Sequence, residues 1–443
     1  MSRILLRVLH PTFQPVTAKK ILARNMIGKN IGNFAFSYAA ERQLSSPQNQ
    51  VTAAKVGPLF EDPDMVNKNF DHVVMPLANH FRASNLKALH SQAAAMEKLT
   101  IPVTVLGVGG QASLDGEVTR EAEEVAKATK RFVRAALERT PSIGVRGEYT
   151  KEYLVDLGFE EDRIDVIGCP SLFLRGDDLP LDLPDEIDPD GPLAINLSHY
   201  LAPMGPILLE NLRRYPQIQY FAQDIQTLRL MMKGIPAPGS TANPDLPLRP
   251  DHPAMAPGRS VFPVNVPGWM DALAQKQISF GSRIHGNIVA LLAGTPAIVL
   301  AHDSRTLELA RYHEIPHFPI VDLAPEEATA EALYARADYT GFLEGHRARF
   351  EHYRDFLDQH GLPHIFGPDG GGEEFDARIA QLKAEGKLDP PYESTGIVAP
   401  PVPAQKSGKK KAAAKVPERS ALLTFLVRVK GVLRRIRRRL RAR

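Results

Sequence analysis

The sequence predicts an α/β fold of two domains, and three observations carry that prediction. Helical and strand-like patterns alternate along most of the chain, as layered α/β proteins require. At 443 residues with 43% hydrophobic content, the chain exceeds one ordinary domain and can fill sizeable cores. Third, the stretch from Ile278 to Ala301, ISFGSRIHGNIVALLAGTPAIVLA, reads as strand, turn, helix, strand. Its approach Ile278-Ser279-Phe280 enters the polar turn Gly281-Ser282-Arg283, and Ile284, Ile288, Leu291 and Leu292 then recur at helical spacing. Gly294 and Pro296 stop the helix, and Ala297 to Ala301 is a second apolar run. Such a turn at the carboxyl end of a parallel strand presents free N–H groups to an anion.

The elements follow in order. Met1 to His10 is too short for a secretory signal and carries Arg3 and Arg7 inside its apolar run. Asn30, Gly32 and Asn33 form a polar turn feeding a helix over Ala35 to Leu44. Phe70 to Pro76 is a candidate strand, followed by the polar residues Asn79, His80 and Asn85. Ile101 to Gly110, IPVTVLGVGG, is the clearest buried strand of the first half, though its two glycines are only a weak phosphate signal. A helix, a strand at Ser142 to Val145 ending at Arg146, a helix at Thr150 to Leu157 and a strand at Arg163 to Ile167 complete that half. Between Leu174 and Pro192 the chain is rich in Asp and Pro, which marks a domain boundary.

The second half repeats the βα pattern, with strands at Leu193 to Leu197, Gln219 to Ala222 and Pro319 to Asp322. Helices are expected at Trp269 to Ala274, Thr306 to Tyr312 and most of Glu326 to Leu357. Gly234 to Pro263 reads as a long surface loop suited to a lid or an acceptor-binding insertion. The organisation expected is therefore domains over 1–180 and 190–388, a disordered linker over 389–419 rich in Pro, Ala and Lys, and a basic amphipathic helix over 420–443.

Charge separates body from tail. From Lys406 onward there are 15 Lys or Arg and one acid, so the tail carries +14 and residues 1–405 carry −11 within the net +3. In the tail Leu422, Phe425, Leu426, Val429, Leu433, Ile436 and Leu440 fall at three- and four-residue spacing among arginines. An aliphatic stripe with basic flanks favours an anionic membrane surface over nucleic acid, since duplex binding needs only the charges. No stretch of about 20 uncharged apolar residues exists to span a bilayer. The single Cys169 excludes an intrachain disulfide and a four-cysteine zinc site, and fits a reducing, cytoplasmic compartment with peripheral attachment at the inner face of the membrane. No metal ligands converge in spacing, so no metal is expected.

At the turn of the central stretch, Arg283 and His285 can together hold an anionic oxygen and deliver a proton near it, and Gly286 leaves room for a close approach. A polar cap in a surface turn explains the spacing about equally well. The stretch ISFGSRIHGNIVALLAGTPAIVL with the following Ala301 to Arg305 resembles the signature of the polysaccharide pyruvyltransferase family. Further resemblances lie in order at Asn30 to Asn33, at IGVRGEYTKEYLVDLG from Ile143 to Gly158, and at the GCPSLFL run after Ile167, together covering roughly 27–318.

The resemblance implies two Rossmann-like domains facing across a cleft in a GT-B-like arrangement. It also implies transfer of the enolpyruvyl group of phosphoenolpyruvate to two hydroxyls of one sugar, as a ketal, with no cofactor. By that resemblance His285 and Arg146 are catalytic, and Ser282, Arg283, Ile284, Gly286, Arg305, Asn33 and Asn79 bind substrate. The expected partners are phosphoenolpyruvate, a sugar or lipid-linked glycan acceptor, and an anionic membrane through residues 420–443. Three departures stand out: Asn33 replaces the family's usual Asp, Arg305 its usual Lys, and Leu77-Ala78-Asn79-His80 a usual glycine-rich turn. Two other readings keep the fold, namely a glycosyltransferase using a nucleotide sugar and a non-catalytic glycan-binding or membrane adaptor. His80, His199 and His302 are read as loop histidines without catalytic duty, and Cys169 as a small buried hydrophobe.

Overall fold

The computed structural model describes residues 1–55, 61–110 and 120–397. The tail helix expected over 420–443 lies outside the described residues.

The first half is a parallel sheet. Its strands are β1 (Ser2–Arg7), β2 (Asn49–Ala54), β3 (His72–Pro76), β4 (Asn79–Phe81), β5 (Val103–Leu106), β6 (Gly109–Gly110), β7 (Ile143–Val145) and β8 (Ile164–Val166). The main sheet runs β2-β1-β3-β5, and a parallel bridge from Val108 to Val145 carries it on to the β7-β8 pair. All four residues of β5 and all five of β3 are buried, the continuous burial that a sheet covered on both faces demands.

The second half holds β9 (Leu193–Asn196), β10 (Ile218–Phe221), β11 (Ser260–Phe262), β12 (Ser279–Gly281), β13 (Ala297–Ala301), β14 (His317–Pro319) and β15 (Tyr392–Glu393). Their order is β14-β13-β12-β9-β10-β11-β15, with only β15 antiparallel. Strand order reverses beside β1 in the first sheet and beside β9 in the second. Those are the points where open α/β sheets leave a crevice beyond the carboxyl ends of their strands. The two Rossmann-like halves face each other in the expected GT-B-like arrangement.

The halves are laced together. The Gly32–Gln43 helix belongs to the first half in sequence, yet Phe34, Ala35, Tyr38 and Ala39 pack in the core of the second. The Thr340–Gln359 helix returns the other way, and its Phe350, Tyr353, Phe356 and Leu357 cover Ile4, Leu6, Val74 and Leu106 of the first sheet. Full burial of such side chains contributes about 1.5–3 kcal/mol each. A range of 190–388 therefore includes a helix that serves the other half.

Several local expectations differ from the structure. The segment after Gly234 is not a lid: Ala237, Leu246, Leu248, Ala254 and Met255 are buried in the second core, and Ser260–Phe262 is a strand. Three residues between Arg259 and Pro263 are too few to show a period. The expected strand at 319–322 lies earlier, at His317–Pro319, and Ile320–Asp322 is a 3₁₀ turn. Residues 392–394, expected within the linker, are paired instead: Tyr392–Glu393 pairs with β11 and Ser394 Oγ accepts from Ser260 N at 3.0 Å. Composition marked that stretch as coreless, but an edge strand needs only backbone pairing.

Candidate active site

The β12 turn is built before any ligand arrives. Gly281 has φ +141°, and a Cβ there would lie 1.8 Å from the Asn196 carbonyl oxygen, so only glycine fits. Asn196, at the end of β9, organises the turn: its Oδ1 accepts from Arg283 N at 2.8 Å and its carbonyl from Ser282 N at 3.1 Å. Its amide donates to Asn287 Oδ1 at 2.7 Å, and Asn287 Nδ2 donates to Gly281 O at 3.0 Å. Ser282 Oγ accepts from Ser198 N at 2.9 Å. This buried network holds the start of the Ile284–Leu292 helix, whose N-terminus has no side-chain cap. Its first N–H groups are thereby left for a ligand.

A cavity of about 690 Å³ lies between the halves at the carboxyl ends of both sheets. Asn33, Asn79, Arg146, Ser282, Arg283, Ile284, His285 and Arg305 all line it. Gly286 does not: a Cβ there would meet Gln223 Nε2 at 2.4 Å and the Asn196 side chain at 3.1 Å. The glycine thus lets the helix close onto neighbouring protein, a correction to its expected role toward ligand.

Arg146 follows β7 and is 5% exposed. Its backbone N donates to Val108 O at 3.0 Å, while its Nε has no hydrogen-bond partner among the described residues. Gly109 makes its berth, since a Cβ at that position would lie 2.3 Å from Arg146 Nε. The glycine run after β5 therefore seats an arginine instead of wrapping a phosphate. Burial pushes the Arg146 guanidinium below its ordinary range, with Glu308 partly opposing. An unpaired buried guanidinium is a strong demand for an anion.

Across the cavity Arg283 pairs with Asp224, its face lies 5.7 Å from the Tyr200 ring centre, and Asp224 also contacts His199 Nδ1 at 3.0 Å. Burial alone would raise the Asp224 carboxyl, but Arg283 and His199 outweigh it and hold it below the usual carboxylate range. Arg283 is thus not the free cation that its motif suggests. Arg305 likewise pairs with Asp303, whose oxygens also accept from the backbone and hydroxyl of Thr306.

His285 sits between Gly32, the Phe36 ring at 5.8 Å and Cys169 Sγ, which lies 3.9 Å from its Nε2. Burial, then the charges of Arg146 and Arg283, push the imidazole down to about 3. It is neutral at pH 7 in the unliganded protein. Cys169 is 5% exposed, and burial raises its thiol, so it stays protonated and packs as a small hydrophobe.

Asn33 Nδ2 donates to Ile27 O at 2.9 Å and holds its own loop. That loop is stitched to the second half by Ile31 N to Gln223 O and Ile225 N to Lys29 O, both 3.0 Å. Asn79 lies in β4, where its carbonyl accepts from Asn85 Nδ2 at 3.3 Å. His80, His199 and His302, read as loop histidines without catalytic duty, all line the cavity. Burial and the nearby Arg7 push His80 down to about 4, and its Nε2 lies 2.7 Å from Gln92 Oε1.

Sequence reasoning missed Arg7, Arg82, Asp224 and Asn196. Arg7 and Asn196 each end or nearly end an apolar strand, ILLR and LAIN, the position from which a polar residue enters a crevice. Asp224 follows β10 in the same way, three residues past its end. Among the described residues no group of three or more His, Cys, Asp or Glu side chains is placed to hold a metal ion.

No curated protein matches the chain. Among solved structures it is similar to the UDP-GlcNAc 2-epimerase from Neisseria meningitidis bound to UDP-GlcNAc, at 10% identity and a TM-score of 0.39, covering 86% of this chain and 100% of that one. The Methanocaldococcus jannaschii UDP-GlcNAc 2-epimerase with UDP-GlcNAc and UDP matches at 12% identity and a TM-score of 0.41, covering 86% and 99%. Over residues 30–304, which contain Arg146, the β12 turn and most of the crevice between them, the chain matches the family model described as polysaccharide pyruvyl transferase, and it belongs to that transferase family.

Proposed function

We propose that the protein transfers the enolpyruvyl carbons of phosphoenolpyruvate onto two hydroxyls of one sugar in a glycan precursor, forming a cyclic ketal and releasing phosphate. One observation carries the reading: the buried Arg146, with Nε unpartnered, shares a cavity with the Arg283–His285 turn at an uncapped helix N-terminus. Phosphoenolpyruvate is small and carries roughly three negative charges near neutrality. Its phosphate and carboxylate divide between Arg146 on one wall and Arg283 with the helix N–H groups on the other.

In the reaction His285 donates a proton to the methylene carbon, which becomes the methyl group. A sugar hydroxyl adds to the adjacent carbon and gives up its proton, with neutral His285 available to take it. The carbon–oxygen bond to phosphate breaks, phosphate leaves with both bonding electrons, and a second hydroxyl adds and loses its proton to close the ketal. His285 is neutral before the donor binds, because burial, and after it the charges of Arg146 and Arg283, disfavours a charge on its ring. The same two arginines are neutralised by the donor, so binding raises the imidazole toward its working range.

From composition, the basic residues of 420–443 hold the enzyme at an anionic leaflet on the cytoplasmic side, near an acceptor carried on lipid. Among the described residues no helix is long and apolar enough to cross a membrane. The test is incubation of the full chain with carbon-labelled phosphoenolpyruvate and a glycolipid extract, followed by mass spectrometry. A labelled ketal and released phosphate are expected, with both lost in His285→Ala. Phosphate release undiminished in that variant would refute the role given to His285.

A further inference from the structure

Two cations in the crevice have no part in the donor site. Arg7 ends β1 beside the reversal of strand order in the first sheet, and its Nη1 donates to Pro76 O at 3.3 Å. Arg82 follows β4, and its Nε is buried without a hydrogen-bond partner among the described residues. Both line the same cavity as Arg146 and His285. Arg283 and Arg305 each hold a carboxylate, Asp224 and Asp303. Among the described residues neither Arg7 nor Arg82 stands in an ion pair, and burial, then the charge of Arg305, pushes the Arg82 guanidinium below its ordinary range. His80, on which burial and the charges of both arginines act, is neutral and adds no counter-charge.

The charge in the crevice exceeds what the donor needs. Six cationic side chains line it, Arg7, Lys29, Arg82, Arg146, Arg283 and Arg305; Asp224 and Asp303 pair with Arg283 and Arg305, which leaves Arg7, Arg82, Arg146 and the exposed Lys29 without a carboxylate partner among the described residues. A donor with roughly three negative charges, held by Arg146 and Arg283, leaves Arg7 and Arg82 desolvated and uncompensated. A neutral sugar acceptor supplies nothing to offset that cost, whereas an acceptor with its own anion does. The cavity, about 690 Å³, has room for both molecules.

We propose that Arg7 and Arg82 form a second anion subsite that takes the diphosphate of a sugar-diphosphate acceptor, leaving the sugar hydroxyls directed toward His285. This rests on the donor site proposed above. The diphosphate ester has two sources, a nucleoside diphosphate sugar or a sugar on an isoprenoid diphosphate.

The experiment is titration calorimetry of the full chain with inorganic pyrophosphate, alone and with saturating phosphoenolpyruvate. Pyrophosphate is expected to bind in both cases. Arg82→Gln and Arg7→Gln should each weaken it at least tenfold while phosphoenolpyruvate affinity stays within twofold, and Arg283→Gln should do the reverse. Displacement of pyrophosphate by phosphoenolpyruvate, or unchanged pyrophosphate affinity in a folded Arg82→Gln protein, overturns the second subsite. If the wild-type chain fails to bind phosphoenolpyruvate, the donor reading fails, and pyrophosphate loss in Arg82→Gln still tests the subsite by itself. Uridine diphosphate and farnesyl diphosphate then separate the sources: whichever binds more tightly than pyrophosphate through Arg82 identifies its class, and binding by neither overturns the sugar-diphosphate assignment.

Discussion

Glu308 reaches from the second half to the first, where its Oε2 accepts the backbone N–H of Thr150 at 3.1 Å and both its oxygens lie within 3.1 Å of Thr150 Oγ1. It thereby caps the Glu148–Asp156 helix, directly after Arg146, and Gly147 makes room, since a Cβ there would lie 2.9 Å from Glu308 Cβ. Burial raises the carboxyl to about 7, against the pull of Arg146 and Thr150. An acid whose folded pKa is raised binds its proton more tightly in the folded chain. Its effect on stability is therefore nil below the unfolded value near 4.5 and grows more unfavourable as pH rises through about 7. Glu308→Gln keeps an acceptor for Thr150 and removes this penalty. Relative to wild type it should gain stability between pH 5 and pH 8, by on the order of 3 kcal/mol, read by urea unfolding at each pH. Equal differences at the two pH values would reject the assignment.

Gly281→Ala is expected to destabilise the protein by about 3 kcal/mol or more, because the new Cβ collides with backbone and not with a side chain that can rotate away. The displaced strand end also releases Asn196 from Ser282 and Arg283. Any folded fraction should have lost phosphoenolpyruvate affinity. Unfolding midpoints and calorimetry on the same preparation separate the two effects, and a variant with full stability would contradict the placement of β12 against β9.

Legibility from sequence was uneven for physical reasons. The strand, turn and helix around Gly281 were readable because a two-residue and a 3.6-residue period meet there with glycine and proline as punctuation. Ser2–Arg7 and Asn49–Ala54 gave no such signal: the first is short and ends in charge, the second has one large apolar residue, Val51. Missing β1 meant missing Arg7. Arg146 could be found only through its resemblance to a known pattern, since nothing in GVRGE foretells that Gly109, 37 residues earlier, would be shaped to bury it. The pairing of Arg283 with Asp224 joins residues 59 apart on opposite sides of β9, a contact that follows from sheet order and from no local pattern.

The tail gives a third expectation. Each Lys or Arg near an anionic leaflet contributes on the order of 1 kcal/mol, and the charge of 15 basic residues from Lys406 onward is screened by salt. The full chain should sediment with vesicles containing phosphatidylglycerol at low ionic strength and release at high ionic strength. Removal of 420–443 should abolish sedimentation without changing phosphoenolpyruvate affinity. Binding retained by the truncated chain would place the membrane contact elsewhere.

The last expectation concerns where the proton for the methylene carbon is obtained. In the free protein the His285 imidazole titrates near 3, so at pH 7.5 it carries no proton to give. Phosphoenolpyruvate at that pH is already fully ionised and brings none either, its second phosphate ionisation lying near 6. If the donor works by neutralising Arg146 and Arg283, its binding must draw a proton onto His285 from solvent. Titration calorimetry at pH 7.5 in two buffers of different ionisation enthalpy measures that uptake directly. Net uptake of a fraction of a proton per donor is expected for wild type and none for His285→Gln, whose neutral amide cannot titrate. The difference distinguishes a general acid loaded by its substrate from a histidine that only shapes the pocket: a packing role predicts the same heat in both buffers for both proteins.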